Sequence, residues 1–161
     1  MVVANELKAI IDKVNKAIRS ERTTRIAVST VFAVHKPRIF EKGLDANNSQ
    51  IGQYSTKPAS VSKQQQAKNT GRTYFPGGYS EYKSAVGKNP GFVILRNTDQ
   101  MYADYGIIQR GNKFGLGFQN KTNYDKSQWM QDKYDKDIFD HSEQELELLA
   151  KTLEFEILKA I

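Results

Sequence analysis

Between Leu44 and Gly91 the chain loses every sustained apolar period. The stretch is rich in Ser, Gln, Lys, Asn and Gly, and includes Gln64-Gln65-Gln66 and Pro76-Gly77-Gly78. A segment without a hydrophobic repeat cannot lay a long helix or strand face onto a core, so it separates a helical region before it from a mixed region after it. Aperiodic stretches of this length are uncommon inside compact domains and usually functional or disordered. We read residues 44–91 as an extended loop or arm within one domain spanning residues 1–161, because 161 residues with 39% hydrophobic content fit a single core.

Before that stretch, residues 4–19 carry Leu7, Ile10, Ile11, Val14 and Ile18 at helical spacing, with Lys8, Asp12, Lys13 and Lys16 elsewhere, which predicts an amphipathic helix. Residues 22–43 admit both a strand, from the β-branched Ile26, Val28, Val31 and Val34, and a helix, from the stripe Val28, Val31, Phe32 and His35. Pro37 and Gly43 favour a helix broken near His35–Pro37.

After it, Phe92-Val93-Ile94-Leu95 predicts a short strand. Tyr105–Gln109 and Lys113–Gln119 flank Arg110-Gly111-Asn112, a turn signal for a β-hairpin. In the second hairpin strand Phe114, Leu116 and Phe118 share one face, while Gly115 and Gly117 leave the other bare for close approach by another element. Residues 123–134 predict a short helix with Trp129 and Met130 as packing anchors. Ser142 and Glu145 form an S-x-x-E capping box at the head of a final helix reaching about Ala160, with Leu146, Leu149, Leu153 and Ile157 as its core stripe and Leu148 and Phe155 widening it. The expected class is α+β: a small antiparallel sheet with a hairpin, packed by N- and C-terminal helices, with a long extended arm.

The chemistry is sparse. With no cysteine there is no disulfide framework, Cys-ligated zinc, iron–sulfur cluster or thiol nucleophile, a pattern that fits a reducing compartment. Charges recur every few residues in the first turns, so neither a signal peptide nor a membrane span is expected there, and cytoplasmic synthesis follows as the expectation. The two histidines, His35 and His141, lie far apart in sequence and are read as local hydrogen-bonding residues. Asp132, Asp135, Asp137 and Asp140 lack the EF-hand pattern and alternate with Lys133 and Lys136, as a solvated turn does. Gly87-Lys88 fails as a phosphate loop because Tyr82 stands where its first glycine belongs and Asn89 where a Ser or Thr would hold magnesium. No catalytic, cofactor or metal site is assigned, and an enzyme is not expected.

Charge is distributed unevenly. Residues 1–56 hold 9 basic and 5 acidic groups, 57–96 hold 7 and 1, and 97–161 hold 8 and 12. Such polarity serves contact with phosphates or head-to-tail contact between subunits. Tyr54, Tyr74, Phe75, Tyr79 and Tyr82 in the arm need a surface to pack on, and a neighbouring subunit could supply it. Lys57, Lys63, Lys68, Arg72, Lys83 and Lys88 are candidates for weak, sequence-blind DNA contact. A small stand-alone basic DNA-binding protein is the alternative reading, resting on a pI of about 9.4 and the Lys/Tyr/Gln-rich middle.

Taken in order, RIFEKG, NNSQIGQYST, GFVILRNTDQMYADYGI, FGLGFQNKTNYDK and IFDHSEQE resemble the virion-morphogenesis, or tail-completion, proteins of tailed bacteriophages. The likeness covers most of the chain, with Asn48 to Tyr54 matching a polar loop, Leu95, Thr98 and Met101 an L-x-x-T-x-x-M segment, and Ile138-Phe139 to Glu145 the last segment. Asp99 departs from the family, whose members often carry glycine there, and so bears on that turn's geometry. The resemblance implies a non-enzymatic, ring-forming homo-oligomer in the virion neck. It would join portal to tail proteins, surround the DNA channel and need no cofactor or membrane.

Overall fold

The computed structural model describes residues 2–62 and 71–160. Lys63 and Lys68, two of the candidate DNA contacts, and the Gln64–Gln66 run lie outside the described residues. Helix α1 (Val2–Ile18) leads directly into α2 (Glu21–Phe40), whose first turn is capped by Ser20: its hydroxyl accepts from the Thr23 N–H at 3.4 Å. The ambiguous 22–43 stretch is therefore helical, but the break expected at His35–Pro37 does not occur. Pro37 removes one N–H inside the last turn, and the fully buried Ile39 and Phe40 beyond it hold that turn in place. The Glu41 and Lys42 N–H groups then both donate to the Pro37 carbonyl, at 3.0 and 2.9 Å.

Residues 44–91 correct the sequence expectation. They contain a hairpin of β1 (Ala59–Ser62) and β2 (Arg72–Phe75), followed by α3 (Gly78–Ala85). Elements of four and eight residues are too short to display a period, which is why the stretch reads as featureless. It is also tied down. Ile51 is buried and its N–H donates to the Gly43 carbonyl at 2.8 Å, and the Ser80 N–H reaches the Ser55 carbonyl at 3.1 Å.

Phe92–Leu95 forms no ladder. Val93 and Leu95 are buried as irregular chain, with the Val93 N–H on the Gly52 carbonyl at 2.9 Å and Leu95 at φ +48°, a conformation that breaks a strand. Four residues later Asp99 adopts φ +59° and its carboxylate holds Arg96 at 2.9 Å and Lys88 at 3.3 Å. The position where the resembled family favours glycine is thus left-handed here, and an aspartate occupies it with two cationic partners.

After α4 (Gln100–Asp104) the expected hairpin forms: β3 (Tyr105–Arg110) pairs antiparallel with β4 (Lys113–Phe118), Arg110 opposite Lys113, around Gly111 at φ +61°. The bare glycine face receives no separate element. A Cβ on Gly117 would meet only Ile108 of the same hairpin, and one on Gly115 would meet open space. Helix α5 (Lys121–Tyr134) begins two residues earlier than expected because Asn120 caps it, accepting from the Thr122 N–H at 2.8 Å. Of its expected anchors, Met130 packs on the core and Trp129 is exposed.

Helix α6 (Glu143–Leu158) opens on the predicted capping box and packs along α2, while α1 rests against both. Its expected stripe is partly wrong: Leu146 is exposed, whereas Leu149, Leu153 and Ile157 are half-buried and Glu145 is buried. The architecture is α+β, with six helices and two antiparallel hairpins among the described residues. An isolated hairpin is marginal in water, and here β1–β2 packs on α3 while β3–β4 packs on α2 and α5. The core is Ile39, Phe40, Ile51, Val93, Leu95, Tyr105 and Ile138, drawn from the end of α2, the irregular chain on either side of α3, β3 and the segment before α6.

Candidate functional site

Most of the tyrosines expected to reach a neighbour pack on one another within the chain. Tyr54 and Tyr79 have ring centroids 5.5 Å apart, Tyr79 and Tyr82 5.1 Å, and Phe75 and Tyr82 5.5 Å. Tyr82 is fully buried, while Tyr74, on the opposite face of β2 from Phe75, is 64% exposed and still free to touch another surface. Burial, together with Tyr82 and Tyr54 nearby, raises the Tyr79 hydroxyl to about 12.

The candidate DNA contacts divide similarly. Lys57 and Arg72 are exposed, and Lys88 is half-buried beside Asp99. Lys83 is not a surface cation: only 2% of it is exposed, and its ammonium donates to the Arg96 carbonyl at 2.7 Å and Asn97 Oδ1 at 3.2 Å. It also lies over the faces of Tyr54 and Tyr79, 5.2 and 5.6 Å from their centroids. Burial, reinforced by the Lys88 charge, lowers it to about 8. The reason is local: α3 turns Lys83 with Tyr82 toward residues 96–97, where backbone and amide oxygens replace water.

Above this cluster lies a cavity of about 660 Å³, between α3, α5 and residues 95–101. Tyr54, Tyr79, Met101, Trp129, Met130 and Tyr134 supply apolar walls, with Lys83, Arg96, Lys126 and Lys133 around them. The Lys133 ammonium lies over the Trp129 and Tyr134 rings at 4.9 and 5.1 Å. Asp99 is the one carboxylate in the lining, and its oxygens already hold Arg96 and Lys88. The cavity therefore offers aromatic surface under a net positive rim.

A second cluster is buried between α2, β3 and α6. Glu145 Oε1 accepts from Arg38 Nε at 2.8 Å, and Oε2 accepts from His35 Nδ1 and the Ser142 N–H, both at 2.9 Å. Arg38 spends its outer nitrogens on the Leu44 and Asp140 carbonyls at 3.0 and 2.6 Å, and the Tyr105 hydroxyl donates to His35 Nε2 at 2.7 Å. This bonding fixes the His35 tautomer, with its proton on Nδ1. Burial lowers the His35 pKa despite the opposing pull of Glu145, so the ring is neutral at neutral pH. Burial would raise Glu145, but His141 at 3.8 Å and the hydrogen bonds from His35, Arg38 and Ser142 outweigh it and hold the carboxyl far below the usual carboxylate range.

His141 lies beside His35, ring centroids 4.9 Å apart, so the fold unites the two histidines that sequence separates. Potential ligand atoms of His35, His141 and Glu145 fall within 4.8 Å of one another. The chemistry nonetheless suits an ion pair better than a metal. Arg38 already neutralises the carboxylate, both His35 nitrogens are engaged, and a cation would have to displace the guanidinium. The same engagement leaves His35 no lone pair for proton transfer to a substrate. Only the capping box was visible in the sequence; nothing there connects Glu145 to α2.

The remaining feature is apolar and uncovered. On α1, Leu7, Ile10, Ile11 and Ile18 are exposed, although they lie on one stripe and Ala17 at its edge is buried. On α6, Phe155 and Leu158 are 57% and 63% exposed. Isolated surface aliphatics need no explanation, but a helix stripe that faces water at every position except the half-buried Val14 marks an interaction surface. No helix is long and apolar enough to cross a membrane among the described residues. No protein-family model, no curated protein and no solved structure matches this chain.

Proposed function

We propose that the chain is a structural subunit of a tailed-phage virion, a ring-forming neck or tail-completion protein that joins portal to tail around the DNA channel. The observation that carries this reading is the exposed aliphatic stripe of α1, Leu7, Ile10, Ile11 and Ile18, a helix face that its own fold does not cover. Such a face is unfavourable in water and favours a stable assembly partner. The resemblance supplies the place, and the uneven charge supplies a means of heterologous contact, in which one patch meets a different patch on the next copy. Lys57 and Arg72, exposed on and beside the β1–β2 hairpin, are the residues best placed for sequence-blind contact with DNA in such a channel.

The test is assembly of the full chain. Sedimentation and electron microscopy of the purified protein should give rings or a concentration-dependent increase in mass, and infected cells should yield particles that contain it. A chain that stays monomeric at every concentration and is missing from particles would remove the reading. A monomer that binds DNA tightly would instead support the stand-alone DNA-binding alternative.

A further inference from the structure

Resting on the head-to-tail reading above, we propose that the aromatic, cationic cavity between α3 and α5 is the acceptor site for the outer face of α6 on the next copy, with Phe155 and Leu158 as its anchors. The cavity has apolar walls from Tyr54, Tyr79, Trp129 and Met130, and a rim on which Lys126 and Lys133 have no carboxylate partner among the described residues. Its 660 Å³ lies within the range of about 300–1,000 Å³ typical of sites that enclose a bound group. A cavity of this kind selects a segment that is both apolar and acidic.

Two uncovered apolar helix faces compete for it, and charge decides between them. The α1 stripe is flanked by Lys8 and Arg19 on one side and by Lys13 and Glu6 on the other, a net cationic surround that would meet lysines at the rim. On α6, Lys151, Glu154, Phe155 and Leu158 follow Glu147 at spacings of four, seven, eight and eleven residues and so share one face with it. Lys151 is paired with Glu147 at 2.7 Å, and Lys159, 4.1 Å over the Phe155 ring, with Glu156 at 3.1 Å, whereas Glu154 is exposed and has no cationic partner among the described residues. That face brings two large apolar side chains and an unpaired carboxylate to a cavity that offers aromatic walls and two ammonium groups held by an amide oxygen and by rings, without a carboxylate of their own.

The cavity lining includes no residue of α1, α2 or α6. Donor and acceptor are therefore different surfaces of one chain, as a heterologous interface requires.

Trp129, the single tryptophan of the chain, is 58% exposed on the cavity wall and reports its occupancy directly. The experiment uses three full-length proteins: wild type, an acceptor variant Lys126→Glu with Lys133→Glu, and a donor variant Phe155→Ser with Leu158→Ser. All four positions are exposed or at the rim, and circular dichroism checks that each variant folds. Wild type should gain mass and shift Trp129 emission to the blue as concentration rises, and each variant alone should associate about 100-fold more weakly or not at all. Mixing the two variants should restore one interface, giving a heterodimer that stops at two chains, with blue-shifted Trp129 emission from the donor variant's intact cavity.

Variants that assemble like wild type, or that fail to pair when mixed, would overturn the proposal. So would a donor variant that keeps the Trp129 shift while a Leu7→Ser with Ile11→Ser variant loses it, because α1 would then be the occupant. A wild type that assembles with unchanged Trp129 emission removes this site and leaves the ring reading standing; a wild type that never assembles removes both.

Discussion

Arg38 Nε donates to Glu145 Oε1 across 2.8 Å, joining two helices through residues that lie 107 positions apart in the chain. Both side chains are buried, and the guanidinium also satisfies the carbonyls of Leu44 and Asp140. Breaking a buried pair strands the remaining charge, at about 3–5 kcal/mol. Arg38→Ala should therefore lower urea-derived stability by that amount. Arg38→Lys should recover little of it, because a point ammonium cannot reach carboxylate and carbonyls together. Full recovery with lysine would contradict the fork geometry.

The same cluster sets the acid response. Burial holds His35 below its ordinary value of 6.5, and hydrogen bonds hold Glu145 below its ordinary 4.5. For both groups the unfolded chain binds more protons than the folded one, so stability rises with pH. As pH falls through 6.5 the unfolded His35 takes up a proton that the folded ring resists, and below 4.5 unfolded Glu145 does the same. Urea titrations should give greatest stability above about pH 7, a decline beginning near 6.5 and a steeper one below about 4.5. His35→Gln should be less stable overall but flatten the upper part of that decline. A wild-type profile level from about pH 7 to 4 would show that neither shift exists.

What the sequence disclosed were features whose causes lie within a few residues. The Gly111-Asn112 turn with Phe114, Leu116 and Phe118 predicts the β3–β4 hairpin, and Ser142 with Glu145 predicts the start of α6. The helical period of α1 was legible too, but a period says which residues share a face, not whether anything covers it. Lys83 read as a surface cation because its oxygen partners, Arg96 and Asn97, lie on a segment with no period of its own. His35 and His141 looked unrelated for a like reason: the antiparallel packing of α2 and α6 that unites them is a long-range outcome.

Glycine substitutions should separate two kinds of turn. Gly43 has φ +64°, and a Cβ there would lie 2.2 Å from the Val93 carbonyl oxygen, backbone that cannot move aside. Gly111 has φ +61°, but nothing lies within 4 Å of its would-be Cβ. Gly111→Ala should cost only the left-handed penalty, about 1–2 kcal/mol. Gly43→Ala should cost more, since a backbone clash adds to that strain. Equal thermal shifts for the two variants would mean that the Gly43–Val93 approach is looser than the structure places it.

Lysines that look alike in sequence should behave differently on truncation. Lys83→Ala leaves the Arg96 carbonyl without its ammonium donor and Asn97 Oδ1 with the Tyr82 hydroxyl but not the ammonium, a loss of about 1–3 kcal/mol, with the two tyrosine faces losing their cation as well. Lys57→Ala and Arg72→Ala are surface changes and should stay within about 0.5 kcal/mol. If the assembled protein contacts DNA, these last two should weaken binding evenly across sequences and flatten its salt dependence. Chemical denaturation separates the buried lysine from the exposed pair, and filter binding at several salt concentrations then tests the pair.

The α1 stripe makes the sharpest contrast between folding and assembly. Leu7 and Ile11 are exposed, so replacing both with serine removes little buried apolar surface and should change stability by no more than about 1 kcal/mol. In water the double variant should be more soluble than wild type, because the patch that drives association has gone. In an assembly the same changes should be severe, since aliphatic anchors at an interface core carry much of its affinity. Expressed in place of wild type during infection, the Leu7→Ser with Ile11→Ser protein should accumulate folded and stay out of particles. Incorporation at the wild-type level would show that this face is not where the neighbour binds, and the proposal that the chain works as an assembly subunit would lose the observation that carries it.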